Sequence, residues 1–291
     1  MLFALTRKLK AKIKEAGIAG TLKVVVATIK NRYPAYLRRK EGENFDRRFK
    51  TDTQFLKTED EIFRPADPER YQYFRAYAPS SVSTGRNALL SLSAIPLEEF
   101  LFVDIGSGKG RVLLIASDFP FKKITGIEFI PHYHEIALRN IAIYRNDSQK
   151  CFSLESTCID ATLFPIPEEK IVFFLFNPFP AKLMSQFISA TEESLERCPR
   201  EILIIYVNPI HRHLMDRSKY FSLIKEEKGH GTCSAYCIYS SKQAAAAQLE
   251  ERYIFGDSLF TVRQDREEAR GEQNIELGVG KGQAQHVDAN K

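Results

Sequence analysis

The chain has 291 residues, 44% of them hydrophobic, which is enough for one substantial core with appendages. Its net charge of +5 is the small remainder of an uneven distribution: residues 1–50 carry 14 Lys/Arg against 4 Asp/Glu, so the rest of the chain is acidic. No apolar run approaches the roughly 20 residues of a membrane-spanning helix, and five scattered cysteines without a CxxC pair exclude a zinc ribbon or a disulfide framework.

Residues 1–50 read as a basic amphipathic helical extension. Leu2, Leu5, Leu9 and Ile13 recur at helical spacing with Arg7, Lys8, Lys10, Lys12 and Lys14 between them. Its apolar start is too short for a signal peptide and lacks a small-residue cleavage site, so a cytoplasmic chain is expected. Such a helix docks on a neighbouring domain or partner, or lies on an anionic membrane; nucleic acid is the weaker expectation. Peripheral membrane or partner contact is therefore assigned to residues 1–40.

Residues 51–98 form an aromatic-rich lead-in that ends in a helix closed by Pro96. From residue 99 to 243 strand and helix patterns alternate. "FLFVDIG", "KITGIEF", "SLESTCID", "KIVFFLFNPF" and "EILIIYVNP" read as strands, with helical periodicity in the segments between them. "YFSLIKEEKGHGTCSAYCIYSS" reads as two further strands around a turn. The expected fold is α/β: a doubly wound, mainly parallel seven-stranded sheet with a C-terminal antiparallel hairpin. Residues 244–291 are polar and Gly/Gln-rich, the composition of a disordered tail.

"FVDIGSGKGR" (residues 102–111) poses the functional question. Three glycines beside a lysine and an arginine suggest a phosphate loop. A Walker A loop fails, because Val103 would be its first glycine and Gly110 its metal-binding hydroxyl residue. The dinucleotide fingerprint fails at its third glycine, where Arg111 stands. Asp104 argues further against an anion, since a carboxylate at the end of a strand repels phosphate and attracts a cation. A glycine turn beside a carboxylate fits a nucleoside carrying positive charge, and S-adenosylmethionine, with an ammonium, a sulfonium and no phosphate, answers that description.

Over residues 85–240 the sequence resembles the class I S-adenosylmethionine-dependent methyltransferases, including uncharacterised bacterial members that share the upstream "FDRRFKTDT", and it is similar in "VDIGSGKGRV" to the lysine methyltransferases that lack a SET domain. The resemblance implies that Asp104, Gly106, Ser107, Gly108 and Gly110 hold the methionine portion of the cofactor. By the same resemblance Glu128 pairs with the ribose hydroxyls, and Asp160 with Ala161 meets the adenine. "FNPFP" resembles the Asn-Pro-Pro-aromatic signature of amino-methylating members, with its second proline displaced by one place. It implies that Asn177, Pro178 and Phe179 align a nitrogen acceptor, in a protein amine or a small molecule. His211 and His213 are the general-base candidates for an oxygen acceptor. Two other readings stay open: a non-catalytic S-adenosylmethionine-binding module tethered by the basic arm, and an NAD(P)-dependent oxidoreductase. Arg86, Tyr71, Tyr73 and Tyr77 are candidates for a cover over the site, and no metal is expected.

Overall fold

The computed structural model describes Gly20, residues 33–54 and residues 77–241. These belong to the first of two units into which the chain divides, Met1–Ala246. The apolar stripe of residues 1–29, Tyr71, Tyr73 and the C-terminal tail lie outside the described residues, apart from Gly20.

Seven strands form one sheet: β1 (Leu101–Ile105), β2 (Lys123–Glu128), β3 (Leu154–Cys158), β4 (Ile171–Phe176), β5 (Ile202–Val207), β6 (Ser222–Glu227) and β7 (Tyr236–Ser240). Their order is β3-β2-β1-β4-β5-β7-β6. Strands β1 to β5 run parallel, and β7 enters antiparallel between β5 and β6. The order therefore reverses between β1 and β4, where neighbouring strands send their connections to opposite sides and leave a crevice.

Sequence dictates which strands sit inside. β4 (IVFFLF) and β5 (ILIIYV) are apolar at every position and are buried almost throughout, as a strand covered on both faces must be. β3 (LESTC) and β6 (SLIKEE) carry polar and charged residues and form the two edges, where charge discourages pairing with another chain.

Alternate residues build two cores. Phe102, Val172, Phe174, Leu203, Ile205 and Ile238 face one side. There they meet residues of α2 (Val82–Leu90), α3 (Arg111–Ala116) and a helix over residues 33–49, here α1. Val103, Ile105, Phe173, Leu175, Ile204 and Tyr206 face the other side and meet Met184, Phe187, Ile188 and Leu195 of α5 (Ala181–Arg197). Each such aliphatic or aromatic side chain removed from water contributes about 1.5–3 kcal/mol, so this burial fixes the register. α4 (Pro131–Ile143) crosses from β2 to β3, and the short α6 (Arg212–Met215) follows β5.

Residues 33–49, assigned by sequence to the extension, contribute Phe45 to the first core; its ring lies 6.2 Å from that of Tyr144. The side chain of Glu41 accepts hydrogen bonds from the backbone N–H and hydroxyl of Ser83, joining α1 to the start of α2. Among the described residues no helix is long and apolar enough to cross a membrane.

Candidate functional site

The carboxyl ends of β1, β2 and β4 open into a cavity of about 750 Å³. After β1 the chain turns through Gly106, Gly108 and Gly110, with φ of 76°, 54° and 85°. These are left-handed conformations that side chains with a Cβ resist. The turn is held down by bonds from the Gly106 and Ser107 N–H groups to the carbonyl of Ile127 on β2, at 2.8 and 3.0 Å. A Cβ on Gly106 would stand 3.2 Å from Pro178, so the turns that follow β1 and β4 touch.

Asp104 and Glu128 supply the acid. Asp104 is buried, lines the cavity, and has no side-chain hydrogen bond among the described residues. Its carboxyl is raised well above the usual range, first by burial and then by the charge of Glu128. Glu128 ends β2, and its two oxygens accept the N–H groups of Gly108 and Ile130, each at 2.7 Å. Burial raises Glu128 too, against the opposing pull of those donors. The hydroxyls of Ser80 and Ser107, both on the cavity wall, are buried without a partner among the described residues.

At the end of β3, Asp160 caps a short turn by accepting from the N–H and hydroxyl of Thr162 at 2.9 and 2.8 Å. Asp160 and Ala161 both reach the cavity, as do Asn177, Pro178 and Phe179 beyond β4. Asn177 is buried with φ of 43°, an uncommon conformation for a residue with a side chain. Its Oδ1 lies 3.4 Å from the hydroxyl of Tyr206, which accepts from the N–H of His211 at 3.2 Å.

The structure thus brings together Asp104, Gly106, Ser107, Gly108, Glu128, Asp160, Ala161, Asn177, Pro178 and Phe179 around one cavity. Gly110 does not line it. Its left-handed turn starts α3, and a Cβ there would press on Ala137 of α4 at 3.2 Å. Of the cover candidates, Tyr77 lines the cavity, while Arg86 pairs with Asp118 at 3.0 Å. His211 and His213 are not among the lining residues; His211 Nε2 is buried without a partner among the described residues, and His213 is exposed. The base role considered for them has no support in this geometry.

The strand order, with five parallel strands and β7 antiparallel beside β5, is that of a doubly wound α/β sheet closed by an antiparallel hairpin. No protein-family model and no curated protein matches the sequence. Solved structures similar to the chain include a candidate methyltransferase, yhhF, from Escherichia coli, at 18% identity and a TM-score of 0.42 over 58% of this chain and 97% of that one. Magnesium protoporphyrin IX methyltransferase from Synechocystis, with bound S-adenosylmethionine, aligns at 11% identity and 0.40 over 54% and 77%. A SAM-dependent methyltransferase from Leishmania major aligns at 14% and 0.40 over 55% and 70%.

The two basic residues that gave "GSGKGR" its phosphate-loop look are held by the lead-in. Lys109 Nζ pairs with Asp52 at 3.1 Å, and the Arg111 guanidinium bonds to Thr53 and to the carbonyl of Ser80. Sequence reasoning missed several wall residues, among them Pro79, Ser80, Tyr133, Gln186 and Asn208. A signal existed for Asn208. It repeats the Asn-Pro of residues 177–178, and its φ of 49° matches. Among the described residues no group of His, Cys, Asp or Glu is placed to hold a metal ion.

Proposed function

We propose that the cavity binds S-adenosylmethionine and that the chain is a methyltransferase. Asp104 carries this reading: a buried carboxyl on the wall of a glycine-lined cavity, without a hydrogen-bond partner among the described residues. Ionising such a group is costly unless a cation joins it. An ammonium beside Asp104 offsets that cost, whereas a diphosphate would meet two carboxyls, Asp104 and Glu128, and be repelled. The orphaned hydroxyls of Ser80 and Ser107 are further places for a polar ligand.

The residues fit this cofactor along its length. Gly106 and Gly108 bare the backbone beside Asp104 for the methionine part. Glu128, held rigid by two N–H groups, keeps lone pairs for the ribose hydroxyls, and Asp160 with Ala161 stands at the β3 end for the adenine. When bound, the cofactor supplies a methyl group activated by a positive sulfur.

The finer reading is a nitrogen acceptor, in a protein amine or a small molecule. Asn177 and Phe179 would orient it, the amide by hydrogen bonding and the ring by packing. Orientation is the main requirement when the nucleophile already has a lone pair, and no histidine among the described residues lines the cavity to serve as base for a hydroxyl. Isothermal calorimetry with S-adenosylmethionine and with NAD tests the cofactor. Binding of the first alone is expected, and binding of NAD alone would overturn the reading. Transfer of a radiolabelled methyl group to fractionated lysate then identifies the acceptor class, and label confined to oxygen esters would overturn the nitrogen assignment.

A further inference from the structure

One wall of the cavity, residues 77–80, belongs to the lead-in and not to the sheet. What holds it is a buried polar cluster that ties Arg111, next to the glycine turn, to residues 46–53 far earlier in the chain. Arg111, the first residue of α3, is buried. It donates from Nε to the Thr53 hydroxyl at 2.7 Å, from one terminal nitrogen to the Thr53 carbonyl at 2.9 Å, and from the other to the Ser80 carbonyl at 3.1 Å. The Tyr77 hydroxyl donates to the same Thr53 carbonyl at 2.9 Å. Thr53 in turn is fixed by Asp46 of α1, which accepts from its N–H at 3.0 Å and its hydroxyl at 2.6 Å. Asn140 of α4 closes the cluster, donating to the carbonyls of Asp52 and Lys109 at 2.8 and 2.9 Å.

The packing leaves no slack. A Cβ on Gly42 of α1 would lie 2.8 and 2.9 Å from the Arg111 terminal nitrogens, so the helix passes against the guanidinium. A Cβ on Gly108 would lie 2.4 Å from Tyr77, so the tyrosine ring rests on the glycine turn itself. The ring also packs on Tyr133, centroid to centroid 4.9 Å, and both line the cavity.

We infer that Arg111, Thr53 and Asp46 are positioning residues for the cofactor site, holding Tyr77 and Ser80 against the glycine turn so that the wall is formed before ligand arrives. This gives "FDRRFKTDT" a role: Asp46 and Thr53 are its polar anchors, and Phe45 and Phe49 seat it on Tyr144. A lysine matches Arg111 poorly, because its three donors share one nitrogen whereas the planar fork meets its three acceptors from three separate nitrogens. The inference rests on the cavity being an S-adenosylmethionine site.

The test is calorimetric titration of S-adenosylmethionine into the full chain and into Thr53→Val, Arg111→Lys and Tyr77→Phe, at a temperature where each is folded by circular dichroism. Thr53→Val keeps shape and all three backbone bonds but removes the hydroxyl, and is expected to weaken binding about tenfold. Arg111→Lys is expected to weaken it more. Tyr77→Phe, with the ring kept and the tether cut, is expected to fall between wild type and Thr53→Val. A purely structural cluster would lower the melting temperature and leave affinity untouched, so wild-type affinity in folded Thr53→Val and Tyr77→Phe overturns the inference. Should Arg111→Lys and Thr53→Val not fold, Tyr77→Phe decides alone. Failure of the wild-type chain to bind would refute the cofactor reading instead.

Discussion

Glu128 accepts the N–H of Gly108 at 2.7 Å and, second to burial, its charge raises the carboxyl of the neighbouring Asp104 above the ordinary range. The two carboxyls stand near the carboxyl ends of adjacent parallel strands, where the register pairs Asp104 with Gly126 and Ile105 with Ile127. Two buried carboxyls so close are costly to ionise together, and on the proposed reading a cationic ligand offsets that cost.

That cost has a measurable sign. Both carboxyls are raised from their ordinary range, chiefly by burial. A carboxyl raised in the folded state holds its proton more tightly there than in the unfolded chain. Stability therefore falls as pH climbs from the unfolded value through the folded one. Ligand-free protein should melt at lower temperature as pH rises through that window. Asp104→Asn, neutral throughout, should flatten the slope and melt above wild type at neutral pH. The same substitution should weaken S-adenosylmethionine binding about 10- to 100-fold, equivalent to about 1.5–3 kcal/mol of charge-assisted hydrogen bonding. Thermal melts across pH with parallel titrations check both halves; an Asp104→Asn chain that binds normally would remove the carboxylate from the site.

Glu128 should behave differently, because its oxygens already serve the protein. Glu128→Ala would leave the N–H groups of Gly108 and Ile130 without partners in a buried setting, at a cost of about 1–3 kcal/mol for each. Glu128→Gln keeps one acceptor and should fall between. Denaturant titration should rank wild type above Gln above Ala, in contrast to the gain expected at position 104. An alanine variant as stable as wild type would mean that these two bonds do not organise the turn.

Gly108→Ala meets two obstacles at once. Its φ of 54° costs a residue with a Cβ about 1–2 kcal/mol, and the added methyl would collide with Tyr77. Pairing it with Tyr77→Ala separates the two terms, since removal of the ring relieves the collision but not the backbone strain. The double variant should recover part of the stability lost by Gly108→Ala and none of the S-adenosylmethionine affinity, measured by denaturant titration and calorimetry. Additive losses would show that the ring does not rest on the turn.

Much of this was legible from sequence because it is local. Continuous apolar runs such as "IVFFLF" and "ILIIYV" describe strands buried on both faces, and Gly-containing "KGHGTCSA" between two strand patterns marks the hairpin. Asp104, Glu128, Asp160 and Asn177 could be picked out because each stands at or just beyond the carboxyl end of a strand whose boundary shows as an apolar run giving way to polar or glycine residues. What was hidden is long-range. Lys109 and Arg111 look like phosphate ligands until Asp52 and Thr53, 57 and 58 residues earlier in the chain, are found bonded to them. Nothing in the periodicity of residues 33–49 says that Phe45 joins the main core. Asn208 was visible as a second Asn-Pro, and it lines the cavity while the histidines that follow it do not.

Asn177 and Asn208 stand at equivalent places. The register pairs Phe176 with Val207, so each asparagine is the next residue on its strand; both have positive φ, both precede proline, and both line the cavity. They differ in what they are bound to. Asn177 is buried with Oδ1 facing the Tyr206 hydroxyl, which fixes the amide, while Asn208 is exposed. Asn177→Ala should therefore leave S-adenosylmethionine affinity within about twofold while methyl transfer falls about 100-fold, the loss expected when an acceptor is misplaced by an ångström. Tyr206→Phe, which releases the amide without removing it, should show a smaller fall in turnover with the same unchanged cofactor affinity. Labelled-methyl transfer and calorimetry on the same preparations make the comparison. Full turnover in Asn177→Ala would take the acceptor away from the β4 turn and leave Asn208 as the residue to substitute next.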